Sequence, residues 1–351
     1  MRLPRLILEP EACAYHIVSR TIDQKWFLDT PKRRDRIVQM IRACVTLYGA
    51  NLINFSVLSN HFHLLCNMSK EENRQPLTKA TLLNVAKVLY SSDYVTDLRQ
   101  EFERAEKIDK QTGDNWHTQN IINRYENRRG CLSNFVGEVK ERIAKYINKQ
   151  HNRSGVVWDG RFHDTIVEHE LESLSAVSAY IDLNSIRAGI VDKPEDYRWC
   201  GYAAALAGSR QAQQGIAQIY AHRGGSKKPS WNQIRGEYRQ TLFEKGLEIL
   251  EDPESGVKGR LGFTAEQVEG EIRKNGKLSK GEVLLHRVRY FTNGTIIGSA
   301  EFIDTVFDRH REKLTTPNSL RSTGARRMRG ADWGNLSCLR DLRVNVIGRS
   351  G

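Results

Sequence analysis

The sequence predicts an α+β fold, an antiparallel sheet with helices packed on it, and three observations carry the prediction. A strand-like segment is followed by a capped helix and then by two adjacent strand-like segments. Further along, a basic helix, a glycine-bounded strand segment and an apolar-striped helix follow one another. The stretch between these two blocks is helical and reads as an insertion. Strands joined by hairpins and helical crossovers in this order bury one apolar face per element against a common sheet.

Residues 12–20, ACAYHIVSR, read as the first strand, with WFLD close behind. Thr30 and Pro31 start a helix, Thr as N-cap and Pro at the first helical position. Ile37, Ile41, Cys44, Val45 and Tyr48 recur at helical spacing until Gly49 ends the run. NLINFSVLS and HFHLLCNM are strand-like and meet at a turn, Ser59-Asn60. Strand, helix, strand, strand suits the ferredoxin-like arrangement. Between about residues 70 and 130, Leu82, Ala86 and Leu89, then Leu98, Phe102 and Ala105, mark two helices ahead of the polar stretch DKQTGDNWHTQN. A basic helix spans Leu132 to Gln150, and SGVVWDGRFHDTIV reads as a strand pair. In ELESLSAVSAYIDLNSIRAGIV, Leu174, Val177 and Ile181 form the buried stripe of a helix, with Gly189 near its end.

After Trp199 the composition changes, and AGSRQAQQG and HRGGSKKPS are linker-like. The expected division is a first domain over 1–205, a linker over 206–235 and a mainly helical C-terminal domain over 236–351. In the last, strand-like RVRYF and an NG turn precede Phe302, Val306, His310 and Leu314 at spacing four. Its basic tail carries Arg321, Arg326, Arg327, Arg329, Arg340, Arg343 and Arg349.

Charge narrows the function classes. Lys and Arg number 54 against 42 Asp and Glu, a net +12, so the chain attracts polyanions in a salt-dependent way. That balance alone fits ribosomal, DNA-binding and membrane-surface proteins equally. Six scattered cysteines with no CxxC pair argue against a zinc ribbon and against a secreted disulfide framework. No signal peptide and no apolar run of membrane-spanning length is visible, so a cytoplasmic location and no membrane partner are expected.

The chemistry-bearing stretch is HFHLLC. On a strand, His61 and His63 share one face while Phe62, Leu64 and Cys66 point the other way. A histidine-triad nucleotide hydrolase needs another His at the next same-face position, which is Leu65. Two neutral imidazoles with an added oxygen donor suit an open Mg²⁺ or Mn²⁺ better than structural zinc. Such an ion polarises a phosphodiester and needs a nucleophile. Two tyrosines qualify, each with an amide one helical turn later: Tyr180 with Asn184, and Tyr146 with Gln150. From the residues alone both remain candidates.

YHIVSR, NHFHLL, GVVWDGRF and YIDLNSIRAGIVDKPEDYRWCGY together resemble the REP-associated tyrosine transposases. These belong to the single-tyrosine HUH group, named for His, a hydrophobic residue, His. The resemblance spans about residues 10–203, interrupted by 70–130. It implies an HUH-endonuclease core with His61 and His63 as metal ligands, Asn184 as their companion and Tyr180 as nucleophile. The cofactor it implies is Mg²⁺ or Mn²⁺. The activity it implies is cleavage and rejoining of single-stranded DNA at hairpin-forming repeats through a 5′-phosphotyrosine, by a monomer or homodimer in the nucleoid. Tyr146 then becomes a DNA contact, with Lys149, Arg161 and Arg187 as further contacts to the strand. One departure is visible: Ser185 stands where the family usually has Pro, which loosens the helix stop after Asn184. A domesticated, non-catalytic hairpin-binding protein is the alternative, and the intact His61/His63 and Tyr180/Asn184 sets speak against it. An RNA-binding factor is a third class, marked by dependence on 2′-hydroxyls.

Overall fold

The computed structural model describes residues 6–8, 12–221, 229–242, 283–284, 288–314, 324–340 and 342. Its architecture is mixed α+β, built on a mostly antiparallel sheet of seven strands ordered β2-β3-β1-β4-β5-β7-β6. The first strand, β1, is Cys13–Arg20, followed by helix α1 over Pro31–Tyr48, β2 over Ala50–Val57 and β3 over His61–Met68. Thr30 accepts a hydrogen bond from the Arg33 amide (3.3 Å), and Gly49 ends α1 at φ 63°. A left-handed residue there closes the helix at no Cβ cost.

Three insertion helices follow: α2 (Lys79–Leu89), α3 (Ser92–Thr112) and α4 (Trp116–Glu126). The polar stretch DKQTGDNWHTQN is the junction of α3 and α4. Asp109, buried at the end of α3, caps α4 from outside by accepting the His117 and Thr118 amides at 2.9 and 2.8 Å. Helix α5, Leu132–Gln150, carries a hub that ties the insertion to the core. Its buried Glu138 accepts from the Tyr48 and Tyr90 hydroxyls, each at 3.0 Å, and pairs with Arg128 and Arg142. Three hydrogen-bond donors and a second guanidinium on one carboxylate are what make its burial tolerable.

Strand β4, His163–Glu168, is the single strand formed by the segment read as a pair; Trp158 makes only an isolated bridge to Thr21. Helix α6 (Leu171–Asp182), the short α7 (Asn184–Arg187) and α8 (Gly201–Leu206) come next. The linker reading of AGSRQAQQG is overturned by α9, Arg210–Ile219, and α10 (Trp231–Leu242) lies beyond it. Ser209 caps α9, whose Ala212, Gly215, Ile216 and Ile219 are buried against β2. Small residues mimic a linker in composition, yet they let a helix approach a sheet closely. The approach falls on the β-bulge at Leu52/Asn54, where a Cβ on Gly215 would lie 2.5 Å from the Leu52 carbonyl oxygen.

The described C-terminal residues also depart from expectation. RVRYF is a short helix, Arg289–Asn293, and not a strand. Strands β5 (Ile296–Gly298), β6 (Arg326–Arg327) and β7 (Ser337–Cys338) lengthen the sheet beyond β4. These strands were not expected, because strands of two or three residues leave no periodic trace. The helical run containing Phe302 and Val306 ends at Arg309, with a break at His310. Residues 222–228, 243–282 and the tail arginines 321, 343 and 349 lie outside the described residues.

Two outcomes follow. Gly215→Ala pushes a methyl into backbone carbonyls, and a loss of about 1–3 kcal/mol is expected. A thermal melt unchanged within error would refute that contact. For Asp109, burial works against ionisation, but the bonds from Thr118 and His117 prevail and hold its carboxyl well below the usual range. Its stabilisation is thus present above the unfolded-state value and lost as pH falls toward the folded one. Asp109→Ala should melt lower at neutral pH, and the gap to the parent should narrow below about pH 4. A gap independent of pH would contradict the capping role.

Candidate active site

The register of β3 decides what reaches the site. Arg20 pairs with His61, Val18 with His63 and His16 with Leu65. His61, His63 and Leu65 therefore share a face with His16. Asn54, opposite Leu65 on β2, donates to Ser178 Oγ and Asp182 Oδ2 of α6, both at 2.7 Å, so α6 covers this face. Phe62 points the other way, edge-on to Trp158, whose Nε1 donates to the Lys140 carbonyl of α5. The two long helices α5 and α6 thus lie on opposite sides of the sheet.

Tyr180, on the inner side of α6, is 2 % exposed. Its ring stands edge-on to His63 and His16, with centroids 6.1 and 6.0 Å away, and rests on Phe291 at 4.8 Å. The backbone does not stop at Asn184. With Ser185 in place of a proline it continues through α7 until Gly189, at φ 66°, reverses it. Arg187 sits two turns after Tyr180, on the same side of the helical run. Its guanidinium carbon lies 3.9 Å from the Tyr180 ring centroid, and it donates to the carbonyls of Tyr180 and Leu284, each at 2.8 Å. A surface contact to DNA was expected of Arg187; its donors are instead turned inward. Arg161 and Lys149 are exposed, whereas Tyr146 is half-buried on α5, on the far side of the sheet from the histidine pair.

Asn184 completes the group, with its side-chain Nδ2 3.4 Å from His61 Nε2. Asp182, between Tyr180 and Asn184, is fully buried and anchors this stretch. It accepts from Asn54, from the Tyr238 hydroxyl at 2.6 Å and from the Tyr202 amide at 3.1 Å. Burial raises its carboxyl to about 6, against the pull of the Tyr238 and Asn54 bonds. Tyr238 reaches in from α10, so the chain beyond the expected boundary at 205 helps hold the site.

The donor set can be tested for a divalent ion. The Asn60 amide nitrogen donates to the Gln24 carbonyl (3.2 Å), which turns Asn60 Oδ1 toward His61 Nδ1 at 2.7 Å. That acceptor takes the Nδ1 proton and leaves Nε2 with its lone pair, the arrangement by which metal-binding histidines are held. His63 is 1 % exposed, and its Nε2 has no hydrogen-bond partner among the described residues. Burial, with the charges of neighbouring His61 and His16, holds it well below its ordinary pKa and so neutral. Two imidazoles and, through its oxygen, the Asn184 amide make a donor set that suits a divalent ion. Asp109, Asp114 and His117, in the insertion, form a separate group whose ligand atoms lie within 4.8 Å of one another and could also hold a metal.

His16 is the member sequence reading missed. It is 1 % exposed, its Nε2 lies 2.9 Å from His63 Nδ1, and its Nδ1 donates to the Phe291 carbonyl at 2.9 Å. Burial lowers its pKa to about 4. The signal was present in YHIVSR, since a histidine on a strand beside β3 meets the histidine face in one of two alternations.

Among the described residues no helix is long and apolar enough to cross a membrane. No protein-family model and no curated protein matches the chain. Among solved structures the chain is similar to a REP-associated tyrosine transposase bound to a REP hairpin. The identity is 11 % and the TM-score 0.36, over 59 % of this chain and 87 % of that chain, a distant structural relationship.

Proposed function

We propose that the protein is a metal-dependent single-stranded DNA endonuclease and strand transferase acting at hairpin-forming repeats, with Tyr180 as nucleophile. One observation carries the reading: motif residues more than a hundred positions apart, His61 and His63 on β3 and Tyr180 and Asn184 on α6–α7, converge on one buried spot. The order β2-β3-β1-β4, with α1 and α5 as the crossovers of a βαββαβ succession, supports the ferredoxin-like core this chemistry calls for. The net charge of +12 suits a nucleic-acid substrate.

In this reading the Tyr180 oxygen attacks the scissile phosphorus. The bond from phosphorus to the 3′ oxygen breaks, the 3′ oxygen leaves as a hydroxyl by taking up the proton that Tyr180 gives up, and the 5′ phosphate stays esterified to Tyr180. The ester conserves the broken bond, so a second 3′ hydroxyl can attack it and rejoin the strand. His61, His63 and Asn184 would hold a divalent ion, which would supply charge neutralisation to the scissile phosphate. Arg187 sets a positive charge against the ring whose oxygen becomes negative during rejoining. Arg161 and Lys149 are both exposed, although Lys149 lies on α5, on the far side of the sheet from the histidine pair.

A second reading, a non-catalytic hairpin-binding protein, is favoured by one observation. Tyr180 is buried beneath Phe291 and Arg187, so a phosphodiester reaches it only after these side chains move.

Covalent capture separates the readings. Labelled single-stranded hairpins from repeats flanking the gene are mixed with protein and Mn²⁺, denatured and run on a gel. A protein–DNA adduct is expected, lost in Tyr180→Phe and in His61→Ala and retained in Tyr146→Phe. An adduct that persists in Tyr180→Phe removes the nucleophile assignment. Tight hairpin binding without any adduct leaves the non-catalytic reading.

A further inference from the structure

We infer that His16 is a positioning residue, which passes the hydrogen-bond demand of the Phe291 carbonyl to His63 and so fixes which nitrogen His63 presents to a metal. The inference rests on the metal-site reading above and adds a residue and a direction to it.

The Phe291 oxygen can only accept, so His16 carries its proton on Nδ1. Thr165 Oγ1 donates to the same carbonyl at 3.3 Å, and Thr165 lies opposite His16 on β4, so the acceptor is held in place from two sides. With His16 neutral, its Nε2 has only a lone pair. The atom 2.9 Å from that lone pair, His63 Nδ1, must then carry a proton. His63 Nε2 is left bare. The opposite tautomer would set two lone pairs against each other at 2.9 Å and leave a buried His63 Nε2–H with no acceptor among the described residues. Both faults cost free energy inside a protein, and neither arises in the arrangement deduced.

The two metal-facing histidines are thus held by separate devices with one result. His61 is set by Asn60, itself oriented by the Gln24 carbonyl, and His63 by His16, oriented by the Phe291 carbonyl. A neutral imidazole is an uncommon outer partner, since carboxylates and carbonyls usually do this work. It keeps the site free of added negative charge, which suits a site that must receive a phosphodiester.

Two measurements test the inference. In metal-free protein labelled with ¹⁵N-histidine, the two nitrogen shifts of His63, assigned by comparison with His63→Gln, should report the Nδ1–H tautomer. The Nε2–H tautomer would overturn the inference. Mn²⁺ affinity, measured by calorimetry, should then fall about 10–100-fold in His16→Phe, the range seen when outer partners of metal ligands are lost. His16→Gln, whose amide can accept from His63 and donate to Phe291, should recover most of it. Unchanged affinity in a folded His16→Phe, or no rescue by Gln, would also overturn the inference. If the parent binds no Mn²⁺ the metal reading itself fails, while the tautomer measurement still decides the relay.

Discussion

Antiparallel pairing of β1 with β3 is the constraint on which the rest depends. Its register sets His16 opposite Leu65 and Val18 opposite His63, which brings three imidazoles to one face. Because side chains alternate with period two, a slip of one residue would turn His61 and His63 toward Trp158 and α5, and Phe62 toward α6. The register is pinned at the turn, where the Thr21 amide donates to the Asn60 carbonyl and the Leu58 amide to the His61 carbonyl, each at 2.9 Å. It is pinned again from α6, through the bond from Asn54 to Asp182. Structural polar groups and site residues are therefore one network, and the site inherits the rigidity of the sheet.

Burying so many polar groups is tolerable only because nearly all of them are paired. Asp182 accepts from three donors, Arg187 donates to two carbonyls and packs on a ring, and His16 is satisfied on both nitrogens. Within this cluster His63 Nε2 has no hydrogen-bond partner among the described residues. A bare acceptor beside His61 and Asn184 is where the proposed cation would bind with least rearrangement. The same burial that makes His16 and His63 poor bases keeps their lone pairs available at neutral pH.

What could be read in advance divides along physical lines. Local signals were legible: Thr30-Pro31 and Gly49 bound α1, the basic helix runs over Leu132–Gln150, and the i to i+2 spacing of His61 and His63 fixes their common face. These depend on capping and periodicity, which neighbours in sequence determine. Non-local facts were not legible. His16 belongs to the site through a strand register that no local signal encodes. Gly215 and Ala212 look like linker residues until a bulge on β2 supplies the surface they fit. Arg187 was expected to contact DNA, and nothing in SIRAGIV reveals that the helix continues and sets the guanidinium against the Tyr180 ring.

The boundary expected near residue 205 bears on how the site is built. Composition changes there, but hydrogen bonding does not stop. Tyr238 closes the Asp182 cluster, the Leu284 carbonyl takes a proton of Arg187, the Phe291 carbonyl takes that of His16, and β5 pairs with β4 through Ile166 and Ile296. Ending the chain at 205 would leave a buried carboxylate, a guanidinium and an imidazole each short of a partner, and would bare the edge of β4. Groups of that kind are costly when orphaned and nearly neutral when paired. The segments after α8 are thus part of the structure that holds the histidines, and a histidine pair on a strand becomes a metal-presenting pair only once those later residues have closed over it.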